Sequence, residues 1–316
     1  MVFKNKTQKR MKKVYNALLI AFVALFFCNI CVSAQMVQNE PQFKMVTVPS
    51  MLSGQEERME YLAVHFWNNF DFKSDTFLDH PKVLERAFAN YVTVLSYAKA
   101  ETANSSLSVL MNKAAVNKKM YVKFLDMSKQ FLYAPESPLC NEEFLIPILE
   151  NASKGTLLSN TEKISYNYTL GLIKKNRVGR AASDFTIVLE NGQTTSLYQQ
   201  KGKMILLVFY NPGCHACKDN IDAIKRSAAI QNAFNKNDLK IVAVYPDQDL
   251  TEWKKYLNDI PKTWVNGYSK GAYVKENEVY DLKAIPMMYL LDQTKKVVLK
   301  DATIQKIDAY LQQNVK

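Results

Sequence analysis

The chain has 316 residues, 48% of them apolar and 22% charged, enough for two ordinary domains with real cores. With 9 Gly and 10 Pro, collagen-like and low-complexity architectures are excluded. The formal net charge of +11 invites nucleic acid or an acidic membrane as partner, but its distribution argues otherwise.

Lys4, Lys6, Lys9, Arg10, Lys12 and Lys13 open the chain with no acid among them. An apolar run, Ala17–Cys28, and the small residues Val32-Ser33-Ala34 follow. That order is the pattern of a secretory signal over residues 1–34, cut before Gln35. An uncleaved anchor is the alternative, although the run is shorter than the roughly 20 residues of a membrane span. Neither Cys28 nor Cys31 follows the small residue of a lipoprotein signal, and Met11 is an alternative start. Once the signal is removed, 35 basic residues face 30 acidic ones. The expected protein is exported, periplasmic and only mildly basic, with no nucleic-acid partner.

Residues 35–178 read as an all-helical domain. After the acidic turn Gly54-Gln55-Glu56-Glu57, Met59, Leu62, Ala63, Phe66 and Phe70 recur at helical spacing. Leu84, Ala87, Phe88, Tyr91, Leu95 and Ala98 repeat the pattern after Pro81. Further helices are predicted over 104–114, 116–133, 141–152 and 161–176. Their breaks fall at Pro135–Pro138 and Gly155, and no repeat period supports a solenoid. His65 and Trp67 read as packing residues. Lys174, Lys175 and Arg177 read as a basic helix end.

Residues 179–316 change texture. Phe185–Glu190 and Thr194–Leu197 flank Asn191-Gly192 as a hairpin. Met204–Tyr210 is an unbroken apolar run suited to a central strand, and a helix is predicted over His215–Asn235 with Ile221, Ile224, Ala228 and Phe234 inward. Leu239–Tyr245 is a second buried strand and Leu250–Leu257 a second helix. Met287–Leu291 and Val297–Lys300 form a hairpin around Asp292–Lys295, and Thr303–Leu311 is a closing helix. The fold class is therefore α+β overall: an all-helical domain, then an α/β domain with a mixed sheet.

Beyond the signal, three cysteines remain: Cys140, Cys214 and Cys217. Three are too few for a disulfide framework. Cys214-His215-Ala216-Cys217 places two sulfurs on the first turn of a helix, beside free N–H groups and the positive end of its dipole. Both favour thiolate, so Cys214 is the expected nucleophile, with an acidified thiol, and Cys217 the resolving thiol. Half a zinc site and a structural disulfide are the alternatives. Zinc lacks further clustered ligands, since His65, His80 and Cys140 are scattered, and so short a loop constrains the unfolded chain little. No metal and no nicotinamide or flavin cofactor is expected. Cys140 reads as a free, partly buried thiol, with intermolecular pairing as the alternative.

Leu206–Tyr210, Cys214-His215-Ala216-Cys217 and Ala284-Ile285-Pro286 together resemble the thioredoxin fold, in its TlpA/ResA-like branch, over residues 179–316. The resemblance implies a thiol–disulfide oxidoreductase in which Pro286 is a cis-proline beside the pair. The backbone of Ile285 then pairs with an extended substrate segment. It implies exported protein disulfides as substrates and a membrane-linked thiol electron donor as recycling partner. An oxidase or isomerase would use the same residues, and a docking platform without catalysis is a further reading. The chain departs from the family at two places. Val208 stands where thioredoxins carry a buried acid, and Asn220 where cytochrome-maturation reductases carry Glu. His215 is then the remaining redox-tuning candidate, while Asp219 and Asp247 read as solvated acids. Thiol peroxidases place Thr three residues before the attacking cysteine, and here that residue is Asn211. Tyr61–Phe72 and Lys175–Gly179 resemble an uncharacterised helical domain that precedes thioredoxin-like domains in exported Bacteroidetes-type proteins. That domain is a candidate for holding a protein partner.

Overall fold

The computed structural model describes residues 40–315, so the signal pattern at residues 1–34 lies outside the described residues. Helices α1 (Gln55–His65), α2 (Pro81–Leu95), α3 (Ala100–Ala114), α4 (Lys118–Leu132), α5 (Glu142–Lys154) and α6 (Asn160–Ile173) build the first half. Polar side chains start several of them. Asn117 and Asn141 each accept two backbone N–H groups, and Ser159 with Glu162 forms a reciprocal capping box. Helix α1 ends at His65, short of the predicted Phe70, and the chain turns so that Phe66, Trp67, Phe70 and Phe72 all enter the core. Trp67 meets Phe124 and Phe70 edge-on at 5.2 and 5.3 Å. His65 is half-buried, its Nδ1 2.9 Å from Asn68 Nδ2, so both residues are used in packing.

The second half is a seven-stranded mixed sheet in the order β2-β1-β5-β4-β3-β6-β7. Its strands are β1 (Thr186–Leu189), β2 (Thr194–Ser196), β3 (Met204–Phe209), β4 (Leu239–Tyr245), β5 (Val265–Ser269), β6 (Met287–Asp292) and β7 (Val297–Leu299). Strand β3 runs parallel to β4 and antiparallel to β6, and every one of its residues is buried. Met204, Leu206 and Val208 face one core with Cys217 and Ile221, while Ile205, Leu207 and Phe209 face the other with Phe185 and Tyr280. The first core is covered by α7 (His215–Arg226), α8 (Ala228–Asn235), α9 (Leu250–Lys255) and α11 (Ile304–Asn314). A short helix, α10 (Tyr273–Glu276), lies after β5. The all-helical half followed by a thioredoxin-like mixed sheet is the expected fold class.

Two local expectations are corrected. The helix predicted over His215–Asn235 is two helices, because Ser227 is extended (φ −68°, ψ 117°) and caps α8 through Ile230 N–H at 3.1 Å. The break resets the helical phase, so Ala228 is exposed and Ile230 takes the buried position. Strand β5 was not anticipated. Its Val-Asn-Gly-Tyr-Ser sequence lacks an apolar alternation, yet it joins β1 to β4.

The halves meet through a buried polar interface. Glu142, at the start of α5, pairs with Lys283 at 2.6 Å and Lys300 at 2.7 Å, and these three side chains are 7–10% exposed. Tyr133 donates to Asp281 at 2.9 Å, and its ring lies 4.5 Å from the Lys283 ammonium. Burial alone lowers the Lys283 pKa, but the Glu142 carboxylate outweighs it and leaves the group above its ordinary value. Of the basic helix end, Lys175 reaches across and donates to Glu278 O at 2.7 Å, while Lys174 pairs with Glu150 at 2.5 Å and Arg177 with Glu143 inside the helical half.

Gly267 explains the closeness of β5 to β1. A Cβ there would sit 2.5 Å from Val188 O and from Ile187 Cγ2. Gly267→Ala is expected to destabilise the fold by about 1–3 kcal/mol through overpacking, read as a lower denaturation midpoint.

Candidate active site

Strand β3 delivers the chain to Tyr210, after which Asn211-Pro212-Gly213 turns it into α7. Gly213 holds φ 69°, a region that costs other residues strain, and a Cβ there would also approach Tyr256 Oη to 3.1 Å. Cys214 is the N-cap of α7, with extended backbone, and its Sγ accepts the Cys217 N–H at 3.3 Å. Cys217 lies one turn on and is 1% exposed, its Sγ accepting the Asn211 N–H at 3.4 Å. Both thiols are free, with Cys214 half-buried.

The two sulfurs therefore differ in surroundings. Burial pushes the Cys217 thiol up to about 12, against the Asn211 N–H that favours its thiolate. Cys217 is a neutral thiol across the physiological range. Cys214 stands at the N-terminal end of α7, half-buried, with the Cys217 N–H directed at its sulfur.

A cavity of about 310 Å³ opens beside the pair, lined among others by Cys214, Cys217, Lys218, Tyr256, Asp259 and Ile260. Beneath it, Trp253 Nε1 donates to Tyr210 Oη at 2.9 Å, and Tyr210 donates to Asn266 at 2.8 Å. This chain fixes the floor of the site, and neither it nor Tyr256 is among the sequence-based candidates. The only hint in the sequence was the Trp253–Tyr256 spacing in a short helical segment.

His215 lines the mouth of the cavity but its side chain is 89% exposed, with Nε2 3.6 Å from Asp219. Asp247 pairs with Lys275. Val208 is fully buried among apolar side chains, and Asn220 donates to Ala216 O at 2.9 Å. Ile285–Pro286 is a cis peptide. It directly precedes β6, whose Met287 pairs with Phe209 at the end of β3. Ile285 and Cys214 pack against the same core. Cys140 lies in the interface between the halves, its thiol 3.5 Å from Leu132 O and 4.0 Å from Lys283 Nζ. Burial raises its pKa. Among the described residues, no three His, Cys, Asp or Glu side chains gather as a metal site.

The asymmetry of the pair sets an alkylation pattern. With the native, reduced protein at about pH 8, iodoacetamide is expected to label Cys214 and spare Cys217 until the protein is unfolded. Mass mapping checks this, and equal labelling of both in the folded state would contradict it.

Residues 4–176 match the domain of unknown function DUF5106, and residues 178–302 match the AhpC/TSA family. The solved structure of a thioredoxin-like protein from Bacteroides caccae is 38% identical, covers 87% of this chain and 100% of its own, and superposes with a TM-score of 0.85. The C-terminal domain of an uncharacterized protein from Bacteroides fragilis is 47% identical over 43% of this chain and 98% of its own, with a TM-score of 0.43. The thiol-disulfide oxidoreductase ResA of Bacillus cereus is 22% identical over 142 residues, 44% of this chain and 79% of its own. The C-terminal half is thus a thioredoxin-like domain of the thiol–disulfide oxidoreductase type, with Cys214 and Cys217 close together. The chain belongs to the DUF5106 family, its helical domain of unknown function joined to an AhpC/TSA thioredoxin-like domain.

Proposed function

We propose that the protein is an exported thiol–disulfide oxidoreductase that reduces disulfides in other exported proteins. The observation that carries this reading is the unequal pair. A half-buried Cys214 sulfur caps a helix, and a buried, protonated Cys217 waits one turn behind it. Export rests on the basic, apolar and small-residue order of residues 1–34.

The Cys214 thiol gives up its proton, and the thiolate attacks one sulfur of the substrate disulfide. That S–S bond breaks as the mixed disulfide forms, and the first substrate thiolate leaves and is protonated. Cys217 then loses its proton and attacks Cys214 Sγ, which expels the second substrate thiolate. The substrate has gained two electrons and two protons, and the Cys214–Cys217 pair is left oxidised. A separate membrane-linked thiol donor reduces it again. With Val208 in place of an internal acid, Cys217 has no carboxylate beneath it to take its proton. The departing substrate thiolate is one base at that step, and Asp259 lines the same cavity as Cys217. The backbone of Ile285 pairs with the extended substrate segment. Asn211, three residues before Cys214, disfavours peroxidase chemistry, because it supplies no hydroxyl there.

Wild-type protein is expected to reduce insulin disulfides with a thiol donor, and Cys214→Ser to fall to background. Cys217→Ser is expected to trap mixed disulfides on Cys214 in cells. Equal background rates for wild type and Cys214→Ser would overturn catalysis, and a pair potential well above about −200 mV would overturn the reducing direction.

A further inference from the structure

The segment Asn277–Pro286, between α10 and β6, has no helix or strand of its own. Without a ladder of backbone hydrogen bonds, its path is set by whatever grips its side chains and free carbonyls. The grip is two-sided. Tyr280 and Leu282 pack into the α/β core, and Tyr280 Oη donates to Ser183 O at 2.7 Å. The alternate residues Asp281 and Lys283 turn toward the helical half. Asp281 takes the Tyr133 hydroxyl, and Lys283 takes the Glu142 carboxylate at 2.6 Å. Just upstream, Asn176 donates to Val279 O at 2.8 Å, and Lys175 to Glu278 O at 2.7 Å.

Glu142 has a second charge to hold. Its other oxygen lies 2.7 Å from Lys300, which follows β7, and Ala302 N–H donates to Met288 O at 3.0 Å. One carboxylate, on the first residue of α5, therefore ties together the approach to Pro286 and the chain beyond β7. A helix N-terminus favours that negative charge. A buried ion pair adds little stability over an apolar pair of equal size, but it accepts one geometry and rejects sliding alternatives. None of the helical half's described residues lines the cavity at the sulfurs, so its influence passes through the segment it holds.

We propose that the helical domain is a brace for the substrate-binding segment, with Glu142 and Tyr133 as positioning residues that set the Ile285 backbone for docking an extended protein substrate. The proposal rests on the reductase reading for its functional consequence. The domain thereby acts on protein substrates, which need the docking backbone, and leaves small disulfides, which need only Cys214, unaffected.

The test uses the full chain. Glu142→Gln is expected to raise KM for insulin by about tenfold, with kcat and the rate of reaction with a small aromatic disulfide within about twofold of wild type. Amide hydrogen exchange over residues 281–288 is expected to quicken in the same variant. A folded Glu142→Gln protein with unchanged insulin KM overturns the proposal, as does a parallel loss against both substrates. Should that variant fail to fold, Tyr133→Phe removes a single hydrogen bond to Asp281. A smaller rise in insulin KM supports the brace, and an unchanged KM overturns it. If the wild type itself reduces no insulin, the reductase reading fails. Exchange then still decides the brace: unchanged protection at 281–288 in Glu142→Gln overturns it, and quickened exchange supports it.

Discussion

Strand β3 cannot face water on either side. All of Met204–Phe209 is apolar and buried, so both of its faces need cover and both of its edges need hydrogen-bonded partners. Strands β4 and β6 meet the second requirement, and the alternation of its side chains supplies both cores. Everything at the site follows from where this strand ends. The chain emerges beside the start of β6, turns at Gly213, and begins a helix whose first cap is a cysteine sulfur. The same helix carries the second sulfur back into the core, and that difference in depth separates an accessible thiol from a protonated one.

The two halves contribute differently. The α/β half supplies both sulfurs, the cavity wall at Tyr256–Ile260 and the Trp253–Tyr210–Asn266 chain below. The helical half supplies a rigid aromatic core and, at its edge, a carboxylate and a phenol directed at the segment before Pro286. Without Glu142, Lys283 would keep Asp301 at 3.3 Å and Lys300 would keep the Ile173 and Lys175 carbonyls, but each buried ammonium would lose its shortest carboxylate contact. The halves are thus held in one arrangement by charge as well as by area.

Much of the site was legible in the chain itself. The Cys214–Cys217 spacing, the apolar run ahead of it and the Asn191-Gly192 hairpin are local patterns, and each reappears as the expected element. The Ser227 cap is not legible in the sequence, because a serine side chain serves equally well inside a helix, at its end or as a cap. Only its contact with Asp308 on α11, together with the bond from Ile230 N–H, selects the cap. Strand β5 is not legible in the sequence, because Asn266 and Gly267 are poor strand formers. Tertiary pairing overrides that preference, and Gly267 is required where β1 passes within reach of a Cβ.

The sequence by itself determined which two sulfurs share the first turn of a helix, which strand lies at the centre, and that a helical half precedes a mixed sheet. Those features rest on spacing and periodicity within a few residues. Only the tertiary structure decided that Glu142 meets Lys283 across 141 positions and that His215 turns outward to Asp219. It also decided that Lys174 and Arg177 pair with acids of α5, while Lys175 and Asn176 reach across to the α/β half. An ammonium group far from its carboxylate leaves no local trace of which one it will find, because the choice is made by what folding buries beside it.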